Sequence, residues 1–491
     1  MTAFVPQHGA PGKRVPRFDA DFCAEEARRG VLFAAILGSS MGFIDGSIVA
    51  IAIPAIRAGL GATLVEAQWI NNAYMVALSA LVLAGGAVGD RFGTARIFAT
   101  GIAIFILTSL ACAVAPTPEA LIWARWAQGA GAALMVPGSL AIIARAYPRE
   151  ERGRAIGYWA AASAVTTALG PIIGGLVLTF GPEGVWRAIF AVNLPLGLLA
   201  LWLIWRNVRA DRPRPDRGLD LPGAVLATVG LGLLAWGFIR IEAGQGASLR
   251  LVAGSLALIA FLWVERRSRA PMMPLYLFRD PGFSIANLAT FTLYFGLSAV
   301  VFFLPMLLIS GWGLSEIWTV VALGPLSVAI ALFSRPFGKL ADRWGTGVLI
   351  AGGAFVVSLG YGWLTFAVQS QDFWLGIIAP LCLAAMGMAM VVAPLSTAVM
   401  AGAAEDSGGT ASGINNAVSR VAGLMAVAAL GAVVSDVYRR AGGDFSYGEP
   451  VRDPGHAAAM TDAFAAVAGI SAAMALASAV IAAAGLRLQR R

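Results

Sequence analysis

The sequence predicts an all-α integral membrane protein of about fourteen spanning helices. Three observations predict it. Of 491 residues, 58% are hydrophobic and only 13% are charged, where a soluble domain carries roughly 25% charged residues; the mean hydropathy is +0.77. About fourteen apolar runs approach the ~20 residues that a bilayer-crossing helix needs. Arginine collects in alternate loops, as cytoplasmic loops require. The formal net charge of +8 is therefore a loop property and implies no nucleic-acid partner.

In order, the runs lie at roughly 31–56, 67–88, 97–115, 120–144, 155–180, 188–206, 221–239, 249–264, 283–309, 316–337, 347–368, 373–398, 411–435 and 461–485. Residues 1–30 are polar, and the run behind them is too long for a signal peptide, so it reads as a retained span. Lys13, Arg14, Arg17, Arg28 and Arg29 precede the first run, Arg91 and Arg96 follow the second, and Arg145, Arg149, Arg152 and Arg154 follow the fourth. Arg206, Arg209, Arg212, Arg214 and Arg217 follow the sixth; Arg266, Arg267, Arg269 and Arg279 follow the eighth; Arg335, Lys339 and Arg343 close the tenth; and Arg487, Arg490 and Arg491 end the chain. The intervening loops are poorer, holding Arg57, Arg187, Arg240 and Arg250. This bias puts both termini in the cytoplasm. Loop 401–410 has no Lys or Arg, and the outer segment 436–460, with Arg439, Arg440 and Arg452, receives no role from the sequence.

A repeat divides the chain. Gly86-Ala-Val-Gly-Asp90-Arg91-Phe-Gly93-Thr94 returns as Gly338-Lys-Leu-Ala-Asp342-Arg343-Trp-Gly345-Thr346, an offset of 342 − 90 = 252 residues. At roughly 30 residues per helix and loop that is about eight helices, two more than a plain pair of six-helix halves would place between the copies. The expected organisation is a cytoplasmic segment 1–30, a six-helix half 31–207, two inserted helices 208–270, a second six-helix half 271–485 and a cytoplasmic tail 486–491. Such repeats build the halves that rock about a central site in many transporters.

The stretch from Leu121 to Gly175 carries the most information. Its first helix holds Arg125 among small residues, then Gln128, Gly129 and Gly131. A charged side chain within a bilayer costs about 2.5 kcal/mol or more and marks a functional site by default. Its second helix carries Gly170-Pro171 and Gly174-Gly175, a break in the helical ladder and a place for close backbone approach.

These residues resemble the major facilitator superfamily and, within it, the fourteen-helix drug–proton antiporters (the EmrB/QacA subfamily), over nearly the whole chain. Gly86 with Asp90-Arg91-Phe-Gly93 resembles motif A, Arg125 through Ala133 motif B, and Gly170-Pro171 with Gly174-Gly175 the antiport-associated motif C. Gly42 through Pro54, with Asp45 inside, resembles the first-helix signature; Trp69, Tyr74, Trp186-Arg187 and Asn193-Leu-Pro195 also fit. The resemblance implies the major facilitator fold of two pseudo-symmetric six-helix halves plus two extra helices, in the bacterial cytoplasmic membrane. It implies proton-driven export of small lipophilic or amphiphilic compounds by alternating access. A dedicated exporter of one metabolite, antibiotic or lipid-like compound on the same fold is the alternative. Two departures are visible. Thr94-Ala95 separate motif A from the one basic residue that follows, Arg96. No acidic residue lies at the middle of runs nine to fourteen, which points away from cationic drugs as the main substrates.

Asp45 lies near the middle of the first run, so its carboxyl is either the proton-coupling group, a contact for a cationic substrate, or a structural hydrogen-bond partner. Arg125 either tunes a nearby carboxylate's proton affinity or snorkels to the outer face. Gly86, Asp90, Arg91 and Gly93, with Asp342 and Arg343 as the second copy, are expected to form conformational gates at cytoplasmic turns or to be plain solvated turns. Trp69, Tyr74, Gln128, Asn415, Asn416 and Arg420 are candidate cavity-lining residues, with helix packing as the competing role; Phe291 and Tyr294 are further aromatic candidates. No catalytic or metal site is expected. Cys23, Cys112, Cys382, His8 and His456 are scattered, and neither a Walker A nor an HExxH motif occurs. Gly38-Ser-Ser40-Met-Gly42 matches GxSxG only by letter, inside a predicted span with no histidine in any run to serve as a base. No cofactor is implied, the proton gradient being the energy source. The implied partners are a small-molecule substrate, protons and the lipid bilayer; a periplasmic adaptor, used by some relatives, stays open.

Overall fold

The computed structural model describes residues 21–182, 184–209, 211–213, 218–241, 246–401, 408–451 and 453–489. The expected N-terminal segment up to residue 20, the loop charges Arg214, Arg217 and Arg452, residues 402–407 of loop 401–410, and Arg490 and Arg491 lie outside the described residues, as do the side chains of Arg149 and Arg487.

The chain folds as long helices, with no strand among the described residues. They are α1 (Arg28–Leu60), α2 (Leu64–Phe92), α3 (Thr94–Ala113), α4 (Pro118–Ala146), α5 (Arg149–Phe180), α6 (Val185–Asn207), α7 (Leu221–Ile239), α8 (Ala247–Arg267), α9 (Pro281–Gly311), α10 (Glu316–Trp344), α11 (Thr346–Ser370), α12 (Phe373–Ala401), α13 (Gly408–Arg440) and α14 (Pro454–Gln489). Thirteen of them are long and apolar enough to cross a bilayer; α5 completes the set, with an apolar section at Leu169–Phe180.

Local chemistry starts these helices. Thr63 and Glu66 form a reciprocal capping box at α2, which satisfies donors that a helix start leaves unpaired. Asp220, Asp280 and Asp372 cap α7, α9 and α12 by accepting from Gly223, Phe283 and Leu375 N–H groups at 2.8, 2.7 and 2.6 Å. The repeated motif is explained by its last glycine. Gly93 and Gly345 have φ of 110° and 91°, a region that only glycine adopts without strain, and each turns one helix into the next within a single residue.

Small residues let the helices pack backbone to backbone. A Cβ on Gly85 of α2 would lie 2.1 Å from the Ala133 carbonyl oxygen of α4, and one on Gly360 of α11 would lie 2.6 Å from the Ala384 N of α12. The pair α7–α8 packs through Gly230 and Gly254. Helix α7 sets Ala224, Ala227 and Leu231 against Val76 and Ala80 of α2 and Leu424 and Met425 of α13. Its partner α8 turns Leu249, Val252, Leu256 and Ile259 outward, as a lipid-facing helix would.

Two sets of contacts close the end at which α1 finishes. The Arg57 guanidinium in the last turn of α1 donates to the Tyr447 carbonyl, and also to the Ala62 carbonyl at 3.0 Å and Ser446 Oγ at 3.4 Å. Tyr447, buried, donates its hydroxyl to the Phe303 carbonyl of α9 at 3.1 Å. Burial also pushes the Tyr447 phenol well above its usual pKa. The segment 436–460, which received no role from the sequence, thus ties α1 to α9. Nearby, Gln68 of α2 donates to the Val427 carbonyl of α13 at 2.5 Å, and Thr179 of α5 pairs with Ile317 N and Glu316 of α10 at 3.1 and 3.3 Å. At the opposite end, Tyr158 of α5, Asp342 and Arg343 of α10, Ser396 and Thr397 of α12, and Ser412 and Asn416 of α13 are exposed. The bundle therefore opens toward the end where α1 begins.

Candidate functional site

Asp45 and Arg125 meet. Arg125 Nη1 donates to Asp45 Oδ2 at 2.5 Å, and both side chains are 1% exposed. A buried ion pair survives only when further hydrogen bonds support it, and here several do. Arg125 Nη1 also donates to Gln128 Oε1 at 2.6 Å and its Nε to the Ile70 carbonyl at 3.2 Å. Gln128 Nε2 donates to Asp45 Oδ1 at 3.0 Å and to Ser109 Oγ at 2.8 Å. Asn193 Nδ2 donates to Ser109 Oγ at 3.2 Å. The guanidinium carbon lies 4.3 Å from the Tyr74 ring centroid and 5.8 Å from that of Phe190, distances at which aromatic faces attract cations.

Five helices build this cluster. Asp45 comes from α1, Ile70 and Tyr74 from α2, Ser109 from α3, Arg125 and Gln128 from α4, and Phe190 and Asn193 from α6. Arg125 does not snorkel; it points inward. Gln128 and Tyr74 are buried within the cluster rather than on a cavity wall, whereas a Cβ on Gly46, next to Asp45, would meet nothing within 4 Å. The space beside Gly46, one residue from the pair, is therefore open. Ser109 and Phe190 are the members that sequence reasoning missed: a lone serine or phenylalanine in an apolar run carries no periodicity signal.

The other candidates separate into groups. A Cβ on Gly170 would lie 2.2 Å from Ser47 Oγ and 3.2 Å from the Ile44 carbonyl oxygen of α1, and one on Gly174 would lie 2.4 Å from Ile48 Cγ1. A Cβ on Gly175 would lie 2.3 Å from Val320 Cγ2 of α10. The glycines flanking Pro171 therefore press α5 against α1 on one side and α10 on the other. Gly86 makes only an ordinary contact with Pro137. Asp90 and Arg91 are half-buried at the end of α2, while Asp342 and Arg343 are exposed at the end of α10. Asn415 packs, donating to Thr290 Oγ1 at 2.7 Å and Asn287 Oδ1 at 3.2 Å on α9. Asn416 and Arg420 share another face of α13, joined by Arg420 Nε to Asn416 Oδ1 at 3.2 Å. Trp69 is half-buried beside α7.

The sequence did not single out Asp211. It accepts from Arg145 Nη1 at 2.6 Å and from Arg96 N at 2.8 Å, and it fills the space beside Gly93, where a Cβ would lie 2.5 Å from its Oδ2. The stretch after α6 is thereby clasped to the motif turn. Asp211→Ala should cost about 1.5–3 kcal/mol, the scale of a half-buried charged hydrogen bond. A lower melting temperature and faster amide exchange at residues 94–97 would check it; unchanged exchange there would refute the clasp.

Comparison with known proteins agrees with this architecture. The profile of the Major Facilitator Superfamily matches residues 35–427. The chain is 32% identical over 409 residues to "Multidrug resistance protein Stp" of Mycobacterium tuberculosis, covering 82% of this chain and 75% of that protein. It is 35% identical over 395 residues to "Cephamycin export protein CmcT" of Amycolatopsis lactamdurans, covering 79% and 81%. It is 31% identical over 405 residues to "Methylenomycin A resistance protein" of Streptomyces coelicolor, covering 81% and 84%. Among solved structures, a bacterial homologue of the human lysosomal transporter Spinster, inward-facing and unoccupied, superposes with a TM-score of 0.69 at 17% identity, over 94% of this chain and 97% of that one. A D-xylose–proton symporter superposes with a TM-score of 0.63 at 16% identity, over 92% and 97%.

Proposed function

The chain belongs to the Major Facilitator Superfamily of transporters, which are not enzymes, and on that premise we propose that it is a proton-coupled exporter of small lipophilic or amphiphilic compounds. In this reading it is one of the fourteen-helix drug–proton antiporters, with both termini in the cytoplasm and the opening facing the cytoplasm. The observation that carries the proposal is the Asp45–Arg125 pair, sealed at 1% exposure beside open space.

The chemistry follows from charge. An ionised Asp45 is held by Arg125 and Gln128. A proton on its carboxyl cancels the attraction, leaving Arg125 with Gln128, the Ile70 carbonyl and the Tyr74 ring. The two protonation states therefore favour different packings of α1, α2 and α4. A proton moving down one pH unit supplies about 1.4 kcal/mol, roughly tenfold in a two-state equilibrium, which is the leverage a coupled transporter needs. The Gly170–Gly175 contacts transmit the change, because α5 touches both α1 and α10.

Opening the outer side must break the Arg57–Tyr447 tie. Arg57→Ala should shift the population toward the outward-open form, read as faster labelling of a cysteine placed at the buried Val427, whose backbone carbonyl still serves Gln68. Labelling at the wild-type rate would show that this tie carries no closing energy.

The direct test of the function is efflux from proteoliposomes with and without an imposed pH gradient; export that ignores the gradient sinks proton coupling. A dedicated exporter is the second reading, favoured by relatives named for cephamycin and methylenomycin A. Cells lacking other pumps, challenged with many unrelated toxic compounds, separate the two. Protection against one compound alone would end the multidrug reading.

A further inference from the structure

Arg420 lies in the apolar span of α13, half-buried. Its Nε bonds to Asn416 Oδ1 of its own helix, and no ion pair joins it to a carboxylate among the described residues. The contrast with Arg125 is direct, since that arginine is neutralised by Asp45. A charge held deep in a bilayer protein without a counter-ion is costly, and such groups face a pathway or cavity. Arg420 fits that position. Ser412 and Asn416, at four-residue steps before it, are exposed, so a polar stripe runs along α13 from the open end to the guanidinium. Half-buried Phe291 and Phe295 of α9 lie in the adjoining apolar cluster.

We infer that Arg420 is the contact for an acidic group on the exported compound, so that the transported class is amphiphilic organic anions, carboxylates or phenolates, entering along α13. This rests on the exporter reading and narrows its substrate class. A guanidinium matches a carboxylate with two parallel hydrogen bonds, and the apolar cluster that includes the next residue, Val421, offers surface for the apolar remainder.

The test is equilibrium binding to the purified full chain in lipid nanodiscs. Three probes share one ring system and differ in charge: 2-naphthoate, 2-naphthamide and 2-naphthylmethylammonium. Wild type should prefer the carboxylate over the amide by about tenfold or more, the scale of one charged hydrogen bond. Arg420→Gln should erase that preference and leave amide binding unchanged, and Arg420→Lys should restore most of it. An unaltered melting temperature in both variants separates lost charge from lost fold. Equal binding of the three probes, no carboxylate binding, or a preference that persists in Arg420→Gln overturns the inference. If Arg420→Gln keeps the anion preference but loses pH-driven export, Arg420 serves the proton cycle instead. Binding needs no gradient, so failure of proton coupling in proteoliposomes would leave this result standing, and the reverse also holds.

Discussion

Asp45→Asn is expected to reduce pH-gradient-driven efflux to the level of protein-free liposomes while the protein still reaches the membrane. Asparagine has nearly the shape of the acid and keeps an oxygen for Arg125, but it cannot exchange a proton. The substitution also leaves the Arg125 cation without its counter-charge at 1% exposure. Breaking a buried pair by removing one partner costs about 3–5 kcal/mol, and the retained hydrogen bonds should hold the loss below that range. A second variant separates stability from coupling. Asp45→Asn with Arg125→Gln removes both charges, so it should recover most of the melting temperature and none of the gradient-driven export. If the double variant regained pH-driven export, Asp45 would be a structural partner only.

Gly170→Leu should abolish transport by a different route. Its Cβ alone would lie 2.2 Å from Ser47 Oγ and 3.2 Å from the Ile44 Cα. The Ser47 hydroxyl is a side-chain obstacle, but the α1 backbone stands directly behind it, so the rest of a leucine side chain must push α5 off α1. Overpacking of this kind costs about 1–3 kcal/mol, enough to rebalance two conformations of similar energy. Gly174→Leu is expected to be milder and correctable, because its obstacle is the Ile48 side chain at 2.4 Å. Adding Ile48→Ala should restore part of the export lost in Gly174→Leu and none of that lost in Gly170→Leu. Equal rescue of both, or full activity in Gly170→Leu, would show that this contact does not govern the transport cycle.

The fold was legible because its signal is collective. Run length, loop arginines and the 252-residue repeat each respond to the bilayer, so an error in one run does not disturb the others. Within the site, Asp45 and Arg125 were readable as charges in apolar helices. Their contact was not, since they are 80 residues apart and no spacing rule reaches across helices. Ser109 and Asp211 were silent for the same reason: each acquires a role only from neighbours supplied by other helices. The segment around Tyr447 gave no periodic signal because its work is done by a backbone carbonyl and one buried ring. Asn415 and Asn416 show the limit of composition, adjacent and identical yet turned to different faces of α13, one packed on α9 and one exposed.

The most direct test is the spacing of the two halves, at the end where α1 finishes, as a function of pH. Spin labels at Phe180 and Ser370, in a background where the exposed Cys382 is serine, report that spacing in nanodiscs. Wild type is expected to redistribute between two distance populations as the buffer pH is changed, and Asp45→Asn is expected to hold one distribution throughout. A variant whose populations follow pH as the wild type's do would contradict the claim that this carboxyl ties proton binding to the direction of opening.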